Sequence, residues 1–312
     1  MTRWPGYCGK AASAGHDNPW RSTALRHHHL RPMTTADLDP VVASILADDW
    51  GDRRSWFEFA MRNPACRVLV AEDADGAAVG TGVLSIHGAV GWVGTIWVAS
   101  PVRRQGLGRA LTAATMDLGE DAGCRTFVLV ATTTGRPLYE GLGFEVQTWY
   151  RTMEAPSLGA GHRAGPSADF DDAATRLRDF RPDDLGAITE LDRIATGEDR
   201  STALAMLVEL GSARVVEREG RVVGFLARAP WGGGATIAPR HEDALELIEA
   251  RRRAAAPQRR TRCGILLENE IGAEALLARG WTEAWRAPRL IRGELLDWRP
   301  DQIWGQFNHA MG

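Results

Sequence analysis

Apolar positions along the chain switch repeatedly between helical and strand rhythm. Leu38, Val41, Val42, Ile45 and Leu46 fall three and four apart behind Thr34 and Thr35, which predicts a threonine-capped helix. A second helical run covers residues 55–61. Residues 67–72 and 78–87 read as strands joined at Asp75-Gly76, a pair suited to a hairpin turn. Residues 92–98 form a β-branched and aromatic run, a buried strand that ends before Pro101, because proline has no N–H to give to a ladder. Leu111, Ala114, Thr115, Leu118 and Ala122 return to helical spacing. Residues 126–131 predict another strand. Residues 136–142 predict a short helix with Pro137 in its first turn and Gly143 at its end, and residues 144–153 a further strand.

The second half repeats this pattern. Leu177-Arg178 with Asp184-Leu185 matches Leu30-Arg31 with Asp37-Leu38 at the same internal spacing. Glu219-Gly220-Arg221-Val222-Val223-Gly224 echoes Asp75-Gly76-Ala77-Ala78-Val79-Gly80. Gly280-Trp281 echoes Gly143-Phe144, and a helix over 242–253 takes the place of the one after residue 106. The organisation expected is therefore a tail over 1–25 without periodicity, one domain over 26–154, a Gly/Ala/Pro/Ser-rich linker over 155–174, and a second domain over 175–312. His27, His28 and His29 read as the start of the first strand rather than as metal ligands. The fold class is α/β (α+β): two tandem copies, each a mixed, mostly antiparallel twisted sheet flanked by helices.

Arg103, Gly106 and Gly108 stand in the turn between strand and helix as Arg-x-x-Gly-x-Gly. Strand, glycine-rich turn and helix N-terminus together aim free backbone N–H groups at one point, at the positive end of a helix dipole. A pyrophosphate fits there, since glycine has no Cβ to hold it off the main chain. The loop is neither Gly-x-Gly-x-x-Gly nor Gly-x-x-x-x-Gly-Lys-Ser/Thr, which argues against the dinucleotide and Walker readings.

Composition narrows the classes further. The 312 residues carry a net charge of −3, so no global basic field points to nucleic acid. No apolar run approaches the ~20 residues that a membrane helix needs, and residues 1–25 hold no apolar leader core. Cys8, Cys66, Cys124 and Cys263 form no Cys-x-x-Cys pair and read as reduced thiols of a cytoplasmic protein. Arg251, Arg252 and Arg253 end a helix, where the dipole favours cations; with Arg259, Arg260 and Arg262 they read as solvated charge. Trp231, Trp281, Trp285, Trp298 and Trp304 read as core and interface.

The string Val98-x-x-Pro101-x-x-Arg104-x-Gly106-x-Gly108 resembles the acyl-CoA pyrophosphate loop of the GNAT superfamily of N-acetyltransferases. Leu138-Tyr139-Glu140-Gly141-Leu142-Gly143-Phe144 resembles that family's Leu-Tyr-x-x-x-Gly-Phe element, in the family's order with a strand between the two. The resemblance implies two GNAT-like domains, with acetyl-CoA as cosubstrate and no metal. It implies that main-chain groups of Ile96, Trp97 and Val98 pair with the pantetheine arm. The amides of Arg104, Gln105, Gly106, Leu107, Gly108 and Arg109, with Arg103 beside them, would hold the pyrophosphate. Tyr139 would protonate the departing thiolate, and Thr132 stands where the family often has Asn. The general base stays open: Asp48, Asp49, Glu72 and His87 are candidates by position alone.

The second copy has lost the loop, for residues 238–243 hold no Gly-x-Gly, and Leu276 stands where Tyr139 stands, although Asn269 keeps the Asn. Only the first copy is thus expected to retain cofactor chemistry, the second closing one wall of the acceptor site. An alkylamine of pKa ~10.4 is largely protonated at pH 7, a handicap of roughly 4–5 kcal/mol that such a site must lessen. The expected activity is acetyl transfer to a primary amine by direct attack, with a small-molecule acceptor. The alternatives are a non-catalytic acyl-CoA sensor or partner-binding protein, and a protein-lysine acetyltransferase. No nucleic acid or membrane partner is expected, and the chain is expected to be a monomer or homodimer.

Overall fold

The computed structural model describes residues 28–158, 175–210 and 212–312; the 1–25 tail and most of the stretch read as a linker lie outside these. The first half runs β1 (His29–Pro32), α1 (Leu38–Ala47), α2 (Arg54–Arg62), β2 (Cys66–Glu72), β3 (Ala78–His87), β4 (Val90–Val98), α3 (Leu107–Asp121), β5 (Thr126–Val130), α4 (Arg136–Glu140) and β6 (Glu145–Pro156). The second runs β7 (Thr175–Asp179), α5 (Leu185–Thr196), α6 (Ser201–Leu210), β8 (Ala213–Arg218), β9 (Arg221–Arg228), β10 (Gly234–Ile237), α7 (His241–Ala254), β11 (Arg260–Leu266), α8 (Glu270–Ala278), β12 (Thr282–Gly293) and β13 (Ile303–Gly305).

The repeat extends to its polar contacts. Arg31 grips Asp37 with two hydrogen bonds of 2.7 and 2.6 Å and reaches Glu72 on β2. Arg178 grips Asp184 at 2.6 and 2.8 Å and reaches Glu217 on β8. In both copies one arginine on the first strand ties the start of the first helix to the neighbouring strand. A bidentate guanidinium–carboxylate pair fixes that geometry in two directions.

The β2–β3 connection shows why Asp75-Gly76 makes a hairpin. The Asp73 carboxylate accepts from the amides of Asp75 and Ala77 at 3.0 and 2.9 Å, and Gly76 supplies the positive φ of 82°. On one face of β4, Ile96 and Val98 pack with Leu107 and Leu111 of α3. On the other, Trp97 lies in a core with Val41 and Ile45 of α1 and Phe57 of α2. That core continues through Leu204, Phe225, Phe307 and Ala310 of the second half.

The sheets do not close copy by copy. The larger one has the order β1-β2-β3-β4-β5-β12-β6-β11, the smaller β13-β10-β9-β8-β7. β12, from the second half, lies antiparallel between β5 and β6, with Leu290 opposite Leu129 on one side and Val146 on the other. β6, from the first half, lies in turn between β12 and β11, with Met153 opposite Cys263. Each copy therefore lends its last long strand to the other, a reciprocal exchange that strand periodicity cannot announce, because ladders are made by backbone groups that every residue carries. β6 runs to Pro156, so its final residues pair with β11 where the sequence suggested a linker. Arg260 and Arg262, read above as solvated charge, both bind Glu154 at 3.0 Å across this seam.

Charge is also buried at the junction. Glu198 accepts from the Trp92 indole at 2.8 Å and faces Arg289 at 3.5 Å, while Arg200 holds Asp192 at 2.9 and 2.6 Å. Arg289 lies between the rings of Trp92 and Trp298. Desolvated ions of this kind are tolerated only with partners in place, so this cluster fixes how the halves meet.

Candidate active site

The site grows from a defect in β4. Thr81 pairs with Trp97 but Val83 pairs with Gly94, so β4 carries an extra residue there. Thr95, within that bulge, has φ of 50°, uncommon for a threonine. It is held from two sides: its carbonyl accepts from the Thr81 hydroxyl at 2.8 Å, and its hydroxyl accepts from the Trp56 indole at 2.9 Å. β4 and β5 run parallel only from Val90–Thr126 to Trp92–Val128 and then part. The Ala99 amide donates to Val79 on β3. By alternation Trp97 also faces β3, and the main chain of Ile96 and Val98 faces the opening.

Beyond Val98 the chain turns through Ser100–Val102, with Pro101 in a 3-10 turn. Arg104 and Gly106 both take positive φ, 63° and 88°. Left-handed residues alternating with ordinary ones curl successive amides inward, the arrangement that cups an anion. Gly106 is the N-cap of α3, and the first helical bond there runs from the Ala110 amide to the Gly106 carbonyl. The amides of Leu107, Gly108 and Arg109 stay outside the helical ladder. Leu107 is buried and anchors the turn; Arg104 and Gln105 are exposed.

Three predicted residues sit otherwise than as simple loop ligands. Arg103 turns back, its Nε donating to the Val98 carbonyl at 2.8 Å and its terminal nitrogen pairing with Asp48 at 2.6 Å. It thus braces the end of β4 and occupies one of the carbonyls expected to face pantetheine. The Trp97 side chain is buried and donates to Asp48 at 2.9 Å. The Thr132 hydroxyl accepts from the Gly135 amide at 3.0 Å, as the Asn269 side chain accepts from the Gly272 amide at 2.9 Å in the second copy. In both copies this position caps the turn into the following short helix.

That helix, α4, is pressed against the first turn of α3. A Cβ on Gly108 would come within 3.3 Å of the Leu138 side chain, and Arg109 donates to the Gly141 carbonyl at 2.8 Å. The glycine of the loop therefore also sets how closely Tyr139 approaches it. Tyr139 is half-buried, its ring edge-on to Phe144 at 6.2 Å. Burial pushes its phenol up to about 12, so at neutral pH it is a proton donor.

The candidate bases are otherwise engaged. Asp48 binds Trp97, Ser100 and Arg103, and the Ser100 hydrogen bond leads in holding its carboxyl below the usual range. Glu72 pairs with Arg31. His87 is buried at the far end of β3 against the Met311 carbonyl, and desolvation pushes it down to about 3. Asp49 is exposed in a left-handed conformation. None of the four stands over the opening as a free base. Among the described residues no cluster of His, Cys, Asp or Glu could hold a metal ion, and no helix is long and apolar enough to cross a membrane.

The second copy has no such opening. β13 pairs antiparallel with β10, Thr236 opposite Gly305 and Ile237 opposite Ile303, so the edge matching the open one of β4 is filled by the chain itself. Leu276, in the place of Tyr139, is fully buried. Residues 306–312 continue from β13 on to the first copy, where Ala310 rests on Gly94 and its carbonyl accepts from the Ser85 hydroxyl at 3.1 Å.

Residues 25–144 match the model of the acetyltransferase (GNAT) family. That stretch is a GNAT domain. The chain as a whole carries two copies of the GNAT fold. It is similar to the uncharacterized N-acetyltransferase YitH of Bacillus subtilis (strain 168), with 27% identity over 73% of this chain and 79% of that one. The solved structures it resembles include a Pyrococcus horikoshii protein classed with the acetyltransferases. That match has a TM-score of 0.76 and 20% identity, covering 96% of this chain and all of that one. Another is a tandem GNAT protein from the clavulanic acid biosynthesis pathway, with TM-score 0.60 and 15% identity over 85% of this chain and 98% of that one. At these identities the two structures speak for the fold alone. The match of residues 25–144 to that family supports acetyl transfer as the general activity.

Proposed function

We propose that the first copy transfers an acetyl group from acetyl-CoA to the nitrogen of a small primary amine by direct attack, without an acyl-enzyme. The observation that carries this reading is the juxtaposition of three features: the parted β4–β5 edges, the amide-lined turn at Arg104–Gly106, and Tyr139 on a helix packed against that turn. The pantetheine arm lies along the open main chain of Ile96 and the Val98 amide as an added strand. The pyrophosphate sits on the amides between Arg104 and Arg109. The amine nitrogen attacks the thioester carbonyl, the C–N bond forms and the C–S bond breaks, the Tyr139 hydroxyl gives its proton to the leaving sulfur, and the proton shed by the nitrogen passes through solvent to restore the phenol. The domain limits are those of the repeat, 26–154 and 175–312, with the exchanged strands shared between them.

A walled acceptor face favours a small molecule over a peptide. Residues 306–312 lie across β3 and β4 beside the bulge, where an extended peptide would have to pass. The thiols of Cys66, Cys124 and Cys263 are buried, and desolvation pushes Cys66 up to about 11 and Cys263 up to about 12; this supports a reducing, cytoplasmic setting. The test is acetyl-CoA turnover with a panel of amines and lysine peptides, reading free thiol and acetylated product together. Stoichiometric thiol and N-acetyl amine from small amines is the expected result. Saturable acetyl-CoA binding with no turnover would identify a sensor, and turnover of peptides alone a protein acetyltransferase.

A further inference from the structure

The loop between α1 and α2 is pinned over the β4 bulge at both ends. Asp48 at its start binds Trp97, and Trp56 in the first turn of α2 binds Thr95. Thr95 and Trp97 share one face of β4, the face away from α3. Arg53, the N-cap of α2, lies between these anchors. Its neighbour Arg54 pairs with Asp39 at 2.5 Å. The Arg53 side chain is half-buried, yet among the described residues it has neither an ion pair nor a hydrogen bond. A guanidinium with five N–H donors, partly withdrawn from water and given no protein acceptor, costs stability. Such a group is retained where something else supplies the acceptor.

The surroundings indicate what that is. His309, close enough to Arg53 to feel its charge, stacks on Tyr150 with ring centroids 6.3 Å apart and meets Trp285 edge-on at 5.2 Å. Burial first, then Arg53, push His309 down to about 4, so its ring is neutral and does not duplicate the positive charge. Among the described residues no carboxylate faces Arg53 in an ion pair. The next residue, Ala310, rests on Gly94 at the bulge. A cationic head, a neutral imidazole and two aromatic rings thus gather on the acceptor side of the strand expected to carry the thioester. Tyr150 comes from β6, Trp285 from β12 and His309 from the segment after β13, so both copies build it.

We infer that the amine accepted by this enzyme carries a carboxylate, and that Arg53 binds it while Tyr150, Trp285 and His309 enclose the apolar part of the molecule. The inference rests on the acetyltransferase reading above. A planar guanidinium binds a carboxylate through two parallel hydrogen bonds, which fixes orientation as well as position. With the acid end held, the amino end of an amino-acid-like molecule is presented to the opening between β4 and β5. The same cation repels an acceptor with a second positive charge, which excludes polyamines.

The test uses the full chain and matched acceptors: an amino acid, its carboxamide and the alkylamine lacking the group, each with acetyl-CoA. The acid should exceed its amide in kcat/KM by on the order of 10–100-fold, the worth of a charge-assisted pair. In Arg53→Gln that ratio should collapse to about one through a rise in KM, and Arg53→Lys should keep part of it. Calorimetry of acetyl-CoA on the same samples separates the two claims. If the wild type binds no acetyl-CoA, the acetyltransferase reading falls. If it binds acetyl-CoA but treats acid and amide alike, acetylates no acid, or keeps its acid preference in Arg53→Gln, the carboxylate site is overturned.

Discussion

Ala310 packs on the backbone of Gly94 so closely that a Cβ on that glycine would collide with it. The contact joins the last described segment of the second copy to the bulged strand of the first. Gly94→Ala should lower stability by about 1–3 kcal/mol, the usual cost of overpacking, and raise KM for the amine as residues 306–312 are pushed off β4. Acetyl-CoA affinity should hardly change, because the turn at Arg104–Gly106 is remote from the contact. Denaturant titration and steady-state kinetics check both parts.

Gly106 caps α3 with φ of 88°. A β-branched side chain there is strained by about 1–3 kcal/mol and meets the bound phosphate. Gly106→Val should weaken acetyl-CoA binding beyond calorimetric detection in a chain that still folds. Gly106→Asn, which accepts left-handed backbone, should keep most of the affinity. Equal effects of the two would mean that the turn does not cradle the cofactor.

Tyr139→Phe keeps the ring against Phe144 and removes one proton donor. Its effect belongs to the transition state, so kcat should fall on the order of 10²-fold while acetyl-CoA affinity stays within experimental error. With its phenol raised to about 12, this group stays protonated through pH 10, and the alkaline side of the rate profile should not fall because of it. Parallel loss of binding and turnover would make the hydroxyl a cofactor clamp.

His87 is neutral in the folded chain down to about pH 3, whereas an unfolded histidine takes up a proton near pH 6.5. Between those values the unfolded state binds more protons, so stability is complete above pH 6.5 and declines as pH falls, by up to ~1.4 kcal/mol per pH unit from this group. His87→Gln keeps a donor for the Met311 carbonyl and removes the titration. Denaturation series from pH 7 to pH 4 should show a shallower slope for the variant.

The filled edge of β10 sets the stoichiometry. The full chain should bind one equivalent of acetyl-CoA, and Gly106→Val should abolish that one. A second saturable site would show that β13 yields to the cofactor.

Much of this was legible in the sequence for a physical reason. Periodicity reports burial, so the strands, helices and doubled pattern stand out, and the Arg-x-x-Gly-x-Gly turn records a local demand for positive φ and close approach. Exchange of β6 and β12 left no mark, since neither strand's side chains name a partner. Arg53 and His309 were equally silent. They lie far apart in the chain, and only the fold shows that one has no counter-ion among the described residues and that the other stands beside it. The resemblance set Arg103 beside the pyrophosphate, while its contacts to Val98 and Asp48 make it a brace.

The order of synthesis gives the exchanged strands a further meaning. Phe127 on β5 pairs with Arg292 on β12, so the edge of β5 beyond the first copy stays bare until most of the chain has left the ribosome. β5 and β6 would meanwhile expose unpaired backbone, a template for joining other chains. Contacts this distant in sequence form slowly. Folding in the cell must therefore be largely post-translational, and premature termination within the second half would strand an aggregation-prone first copy rather than release a working enzyme. The second copy is thus the complement that covers the edges of β5 and β6 at every round of synthesis.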